Sequence, residues 1–377
     1  MEYRIATPAD REQVIDFANY VFSQAHRPHD FKTLIPKEYS DRVPGTATHY
    51  IAVREDGVIR AMTANLPVSL RFGNQILKTG MIGTVSVHPY ARGEGHMKML
   101  MKMLLDDAKE RDFDLLVLGG QRQRYGYFGF EGGCAGAAYE ISETNVRHAL
   151  KNVDDSEITF ETLEAENAEG VDYAWKLANA RKMGGVRPRD TFLEIMHTWH
   201  SPMRLICANK KPIGYVMGGL DGNISELELE NEGDLFRVLK AFFRLDGMHS
   251  FAICASPCEV ERAKLLGSIA ESVQIVPQER IRVLNWLRVL NATLQLKSEY
   301  AELQDGALVL KIGENTYRLH VQNGKPDVQI TDEAPDRVYT ELQAIQKLFG
   351  VESALFRENK DYNWLPLPMF FSGADTF

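Results

Sequence analysis

Val85-Ser86-Val87-His88-Pro89-Tyr90-Ala91-Arg92-Gly93-Glu94-Gly95-His96-Met97 decides how this chain is read, because it runs from an apolar strand through a basic-glycine turn into a periodic helix. After Gly95 the apolar residues stand at Met97, Leu100, Met101, Leu104, Leu105 and Ala108, which draws one continuous stripe on a helix. The helix therefore begins at the glycines. A helix start leaves backbone N–H groups without intrahelical partners and carries partial positive charge, so phosphate oxygens are its natural ligand. Gly93 and Gly95 let the backbone approach such a ligand and Arg92 adds a charge, so the stretch reads as an anion cradle. The plainer reading is a strand-turn-helix whose glycines serve only the turn.

Working outward, Tyr3-Arg4-Ile5 reads as a short strand, and Thr7-Pro8-Ala9-Asp10 offers a cap, a proline and an acid for a helix with Val14, Phe17, Ala18 and Val21 on its apolar face. Ser23 to Pro44 lacks regular periodicity and reads as loop or short helices, a wall for a substrate. Strands near Tyr50–Val53, Ile59–Val68 and Ile76–Val87, parted by Asp56-Gly57 and Gly73-Asn74, argue an antiparallel meander. The cradle helix leads to the unbroken apolar run Asp114-Leu115-Leu116-Val117-Leu118, a strand buried beside a parallel neighbour. The order is β-α-β-β-β-α-β, followed by Tyr125-Gly126-Tyr127-Phe128-Gly129-Phe130 and a strand near Ala137–Ile141.

The cradle resembles the acyl-CoA-binding motif of the GNAT superfamily of N-acetyltransferases, whose R/Q-x-x-G-x-G/A pattern after a V-x-P strand end matches at Val87, Pro89, Arg92 and Gly95. The last small residue of the pattern is Met97 here, a departure that crowds the pantetheine-pyrophosphate path. A dinucleotide fingerprint fits less well, since G-x-G-x-x-G from Gly93 needs its third glycine where Lys98 stands. The Y-x-x-x-G-F spacing from Tyr125 resembles a later motif of the same superfamily, in which the tyrosine hydroxyl points at the CoA sulfur.

The chain has 377 residues, enough for two or three domains, with 44% hydrophobic and 25% charged residues, and so belongs among ordinary globular proteins. With no membrane-length apolar run and no signal-peptide core at Met-Glu-Tyr-Arg-Ile, a cytoplasmic location is expected. Cys134, Cys207, Cys254 and Cys258 read as reduced, packed thiols, Cys254-x-x-x-Cys258 having no second pair to complete a zinc site. A formal charge of −9 argues against non-specific nucleic-acid binding and suits a cationic substrate.

Between Ser142 and Asp155 the sequence turns polar, as a linker would. Glu157–Thr162, a helix through Ala174–Ala180, and strands near Arg204–Ala208, Ile213–Met217 and Ile224–Leu229 then repeat the first order. The helix after Gly233 buries Leu235, Val238, Leu239, Phe242 and Phe243, but its start, Glu228-Leu229-Glu230-Asn231-Glu232-Gly233-Asp234, carries acids that would repel a pyrophosphate. From about Val283 strands at Leu308–Ile312, Tyr317–Val321 and Asp327–Ile330 precede a helix marked by Val338, Leu342, Ile345 and Phe349 and stopped by Gly350. This layout resembles Eis-type acetyltransferases, in which two acetyltransferase-like domains precede one like sterol carrier protein. The resemblance implies an α/β (α+β) chain of two tandem GNAT-like mixed-sheet domains, 1–145 and a degenerate 150–282, closed by a small sterol-carrier-protein-like α+β domain, 283–377. It also implies a homo-oligomer such as a hexamer.

Acetyl transfer from a thioester to an amine needs a hold on CoA, a neutral amine, oxyanion stabilisation and a proton for the departing thiolate. The resemblance assigns the cradle to Arg92, Gly93, Gly95 and His96, the pantetheine arm and thioester carbonyl to backbone groups of Val85 and Val87, and the acid to Tyr125, a phenol that is protonated at neutral pH. In Eis-type proteins the final phenylalanine brings its α-carboxylate into the first domain's active site, and this sequence ends at Phe377. That carboxylate can act as base or anchor a cationic substrate. Thr376 stands where the Eis-type pattern has an acid, with Asp375 one position earlier, and Asp30, Glu38 and Asp41 are candidates to line an acidic pocket. His197-x-x-His200 and His26-x-x-His29 lack a third ligand for a metal, Lys210-Lys211 reads as solvated charge, and the Trp286 segment reads as core. The expectation is an acetyl-CoA-dependent N-acetyltransferase, metal-free, acting on an aminoglycoside, polyamine or lysine-like primary amine through a ternary complex. The rival is a non-catalytic CoA- or lipid-binding sensor or carrier, motivated by Met97 and the apolar third domain.

Overall fold

The computed structural model describes residues 1–24, 27–43, 45–218, 223–245, 248–351, 353 and 362–377. Three sheets organise them. The first has eight strands, in the order Glu2–Ile5, Thr48–Val53, Ile59–Phe72, Gln75–Val87, Leu115–Leu118, Arg280–Val283 and Glu131–Gly132, with Met183–Gly185 paired to the far end of Ile59–Phe72. The second has seven, from Ser272–Pro277 through Ala135–Ser142, Ser250–Ala255, Asn223–Leu229, Lys211–Gly218 and Met203–Ala208 to Ile158–Thr162. The third has four, Lys325–Ile330, Asn315–Gln322, Gly306–Ile312 and Arg337–Tyr339. The result is a mixed α/β fold, as the sequence reading expected. Among the described residues no helix is long and apolar enough to cross a membrane.

The first sheet follows the expected meander. Thr48–Val53, Ile59–Phe72 and Gln75–Val87 are antiparallel neighbours, and Leu115–Leu118 lies parallel to the last of them. Helix Arg11–Ser23 and the short helices Phe31–Leu34 and Pro36–Tyr39 cover one face, burying Val14, Ile15, Ala18, Phe31 and Tyr39 with Ile51, Ile59 and Met62. Helix His96–Glu110 covers the other, its stripe Leu100, Met101, Leu104, Leu105 and Ala108 packed on Tyr50, Ala61, Ile82 and Leu116. This double cover explains the continuous apolar run of Leu115–Leu118, all four residues of which are buried.

Several local expectations are corrected. The strand near Ala137–Ile141 lies in the second sheet, antiparallel to Ser250–Ala255, where Tyr139 and Ile141 enter that sheet's core. The neighbour of Leu115–Leu118 on its free side is Arg280–Val283, with Ile281 opposite Val117. The supposed linker after Ser142 contains the helix Glu143–Ala149, started by a reciprocal Ser142–Asn145 cap. Val338 stands in the strand Arg337–Tyr339 with 65% of its surface exposed, and the final helix runs over Glu341–Phe349. Its apolar spacing continued the helical stripe by coincidence, while the Thr340–Gln343 capping box marks the true start. Helix Trp286–Ser298 buries Trp286, Val289, Leu290 and Leu294 in a core shared by the first and third sheets, as the core reading of the Trp286 segment anticipated.

Candidate active site

The cradle is built from the conformation of two glycines. After the strand ends at Val87, a short turn at Pro89–Ala91 and extended Arg92 lead to Gly93 at φ 86° and Gly95 at φ 82°, the left-handed region that glycine enters without a Cβ penalty. Helix His96–Glu110 follows at once, and its first turn closes with the Met99 N–H donating to the Gly95 carbonyl at 3.2 Å. The N–H groups ahead of Met99 therefore belong to the unpaired start of the helix, where partial positive charge gathers. Residues 92–95 are exposed, and the space above both glycines is open to at least 4 Å. Among the described residues nothing pairs with Arg92. Unpaired N–H groups, an adjacent guanidinium and open space fit a phosphate-bearing ligand.

The side chain of His96 plays a different part. It is buried, with Nδ1 2.7 Å from the Tyr3 hydroxyl and Nε2 3.0 Å from Glu94 Oε2, so the helix start is pinned to the first strand and only the His96 backbone is left for a ligand. Met97 packs half-buried against the core under the helix, as Val85 and Val87 do.

Beside the cradle the sheet opens. The parallel ladder ends at Ile82–Leu118, yet Gln75–Val87 continues for five more residues while Leu115–Leu118 stops. A bulge interrupts its other edge, where Met62 faces Ser86 but Ala64 faces Gly83, and Thr84 takes φ 48°. The backbone through Val85 and Val87 thus has no strand on the Leu118 side, which leaves its amide groups for an extended ligand. Tyr125, from helix Arg122–Gly126, packs beside Leu118 and Ile82 on the other arm of this gap. Burial raises its hydroxyl pKa against the opposing pull of Arg124, so the phenol stays protonated at neutral pH.

On the opposite face of the same strand lies the end of the chain. Ile82 points under the cradle helix, and Gly83, the next residue, faces away from it. A Cβ on Gly83 would fall 1.8 Å from Cδ1 of Phe377, so only glycine admits the terminal ring there. Tyr39 meets Phe377 edge-on at 6.2 Å, and its hydroxyl lies 3.0 Å from His49 Nε2 and 3.3 Å from Thr84 Oγ1. Burial lowers the His49 pKa to about 4, so a neutral imidazole faces that hydroxyl at pH 7.

A buried polar latch holds the tail. Lys37 donates to the carbonyl of Ala374 at 2.9 Å and to that of Thr376, and burial lowers its pKa to about 7. Arg187 reaches Asp375 Oδ1 at 2.9 Å and grips Glu226 through two parallel bonds of 2.7 and 2.8 Å, the fork geometry that makes guanidinium–carboxylate pairs strong. The Gly185 N–H donates to the other Asp375 oxygen at 2.9 Å, while Ser372 and Tyr215 donate to Glu226. Burial alone would raise the Asp375 carboxyl; Arg187 and Arg181 overcome it and lower its pKa. Beside the latch is a cavity of about 280 Å³ with apolar walls from Val43, Leu66, Pro67, Val68, Val186 and Ile195.

The cradle residues, Tyr125 and Phe377 thus gather around one strand. The acidic-pocket candidates do not. Asp30 caps helix Phe31–Leu34, Asp41 pairs with Lys32 at 2.9 Å, and Glu38 is buried, accepting from the N–H groups of Thr46 and Ala47 at 2.9 Å. His197 bonds the Ser201 carbonyl, His200 sits in a turn, and His26 lies outside the described residues. Lys37, Tyr39, His49, Arg187 and Glu226 escaped the sequence reading because no motif contains them; the one available hint was the acid near the C-terminus.

Residues 2–133 match the family described as an acetyltransferase (GNAT) domain. No curated protein matches the sequence. Among solved structures, similar chains include a conserved protein of unknown function from Enterococcus faecalis, described as a probable N-acyltransferase (17% identity, TM-score 0.66, 93% of this chain and 90% of that one). A GCN5-related N-acetyltransferase from Kribbella flavida shares 15% identity at TM-score 0.66 over 100% of both chains. Eis1 from Mycobacterium abscessus shares 15% identity at TM-score 0.64 over 94% of this chain and 93% of that one. At these identities the likeness is one of fold, extended over the whole chain. The family match over residues 2–133 supports an acetyltransferase.

Proposed function

We propose that this protein is an acetyl-CoA-dependent N-acetyltransferase that acts on a primary amine within a ternary complex. The carrying observation is the convergence on strand Gln75–Val87 of an open anion cradle, an unpaired strand edge and, on the opposite face, the chain's own terminal residue. Acetyl-CoA supplies the activated acetyl thioester. The backbone N–H groups from Gly93 through His96, with Arg92, hold its phosphates, and the amide groups of Val85 and Val87 hold the pantetheine arm and polarise the thioester carbonyl. Tyr125 keeps a proton for the leaving thiolate, its raised pKa favouring the form that can donate. The α-carboxylate of Phe377 receives the amine, as base or as anchor, and the Lys37–Arg187–Asp375 latch fixes its position. The apolar cavity next to the latch suits an acceptor whose amine is carried on an apolar portion.

The same reading extends to three units close to 1–145, 150–282 and 283–377, with 135–142 and 280–283 exchanged between sheets. It makes the last unit sterol-carrier-protein-like and the protein a cytoplasmic homo-oligomer.

The deciding experiment is release of CoA thiol from acetyl-CoA with aminoglycosides, polyamines, arylalkylamines and lysine peptides, on protein ending at Phe377. Release with one amine class establishes transfer and chooses the acceptor; CoA binding without release by any amine overturns the enzyme reading.

A further inference from the structure

The second sheet also contains a parallel pair that parts. Asn223–Leu229 and Ser250–Ala255 are joined only at Asn223–Ala252 and Ile224–Ile253, and beyond that rung they separate, as Gln75–Val87 and Leu115–Leu118 do in the first sheet. The gap opens into a cavity of about 250 Å³, walled by the segment from Ser225 to Glu228 on one arm and by Cys254 and Ser256 on the other. Phe370, from the C-terminal segment, closes one side.

The charges around this cavity do not balance. Arg181 and Arg187 share Glu226 at 2.7 Å each, and Arg187 also holds Asp375. Arg262 is taken up by Glu259 at 2.5 Å, by the Leu227 carbonyl at 2.7 Å and by Glu232. Glu228 is left 3.6 Å from Arg262, beyond hydrogen-bond length, and receives no donor among the described residues although only 13% of its side chain is exposed. Three guanidinium groups therefore stand among five carboxyl groups, and Lys182, also on the wall, pairs with Glu299 at 3.4 Å. Burial pushes the Glu228 carboxyl up to about 8 despite Arg262, which is the expected response of a desolvated acid lacking a donor.

A donor with positive charge would satisfy that carboxyl; a polyanion such as CoA would be repelled by its neighbours. Beside polar Ser225, Ser256 and Ser372, the wall residues Met183, Leu227, Ile253 and Phe370 give apolar surface and an aromatic ring, which suits an alkyl stem and a cationic head. The volume falls below the roughly 300–1,000 Å³ of pockets for drug-sized ligands, so the occupant is small. We propose that the cavity between the parted strands Asn223–Leu229 and Ser250–Ala255 binds a small organic cation, an ammonium or guanidinium on a short alkyl stem, anchored by Glu228. This site shares Glu226 and Ser372 with the latch of the chain terminus, but it does not require acetyl transfer and stands whether or not the first sheet is catalytic.

Calorimetric titration of the full-length protein with n-butylammonium, without acetyl-CoA, tests it, with tetramethylammonium as a control that has charge but no N–H. The expected result is saturable binding of which one equivalent weakens at least about tenfold in Glu228→Gln, persists when residues are added after Phe377, and is not reproduced by tetramethylammonium. Identical isotherms for wild type and Glu228→Gln, or no saturable binding by wild type up to about 10 mM, overturn the proposal. If Glu228→Gln does not fold, crystals of the wild type soaked in n-butylammonium decide the matter: density within hydrogen-bond distance of Glu228 supports the site, and its absence overturns it.

Discussion

The first and second sheets each contain a parallel strand pair that separates part-way, and they differ in the residues that stand at the opening. In the first, the gap leads to Arg92, Gly93 and Gly95 ahead of helix His96–Glu110. In the second, the chain reaches helix Leu235–Phe242 through Glu228, Glu230, Glu232 and Asp234. The same backbone arrangement thus presents a cationic start in one place and an anionic one in the other. The charge offered at each opening follows from the side chains at the helix start, because a parted sheet supplies only a gap and some free amides.

The comparison is broken most forcefully at Phe377, which packs against Gly83 of the first sheet's parted strand. Adding a few residues after Phe377 displaces its carboxylate and is expected to cut acetyl transfer by roughly a hundredfold or more while the melting temperature holds, because the latch ends at Asp375 and Thr376. Unchanged turnover in such a protein removes the carboxylate from the mechanism. Tyr125→Phe is next: turnover should fall by about 10²-fold with CoA affinity kept within about twofold, and an equal loss of both would show that Tyr125 binds instead of donating a proton.

Glu38, in the helix Pro36–Tyr39 on the first sheet, and Glu228, in the second sheet, both have carboxyls whose pKa burial raises, and Glu38 gives the cleaner stability readout. Burial raises its pKa from 4.5 to about 7, so the folded state holds the proton more tightly than the unfolded chain does. Its contribution to stability is full below about pH 4.5 and is lost as pH rises through about 7. Glu38→Gln, which stays neutral, should therefore gain on wild type by about 3 kcal/mol across that window. Denaturant melts at pH 4.5 and 7.5 that show a constant difference would place the carboxyl in a wetter setting.

The smallest effects fall on the helix starts. Arg92→Ala should weaken CoA binding about tenfold and reduce its salt dependence, whereas Glu230→Ala at the second helix should leave CoA affinity unchanged. A rise in CoA binding in Glu230→Ala would mean that charge alone keeps the second gap from accepting the cofactor.

Legibility followed sequence distance. The cradle was readable because everything it needs lies between Val85 and Ala108: a strand end, two glycines and a helical stripe. The meander was readable from turn dipeptides and alternation for the same reason. The exchange of Ala135–Ser142 and Arg280–Val283 between sheets was not, since both are short half-buried strands and nothing within either segment names its neighbour. Val338 shows the related limit, in which an apolar residue at helical spacing belongs to the strand before the cap.

What the sequence determined by itself is the glycine turn at Gly93 and Gly95, its helix, the meander that carries it and the tyrosine on the next arm, all set by hydrogen-bonding and packing preferences within a few turns of chain. The tertiary structure alone decided where the terminus goes and what holds it. Lys37 meets the Ala374 carbonyl across 337 positions, and Arg187 meets Asp375 across 188. A lysine or an arginine in isolation reads as a solvated surface charge; only the folded core removes the water and makes a buried partner necessary.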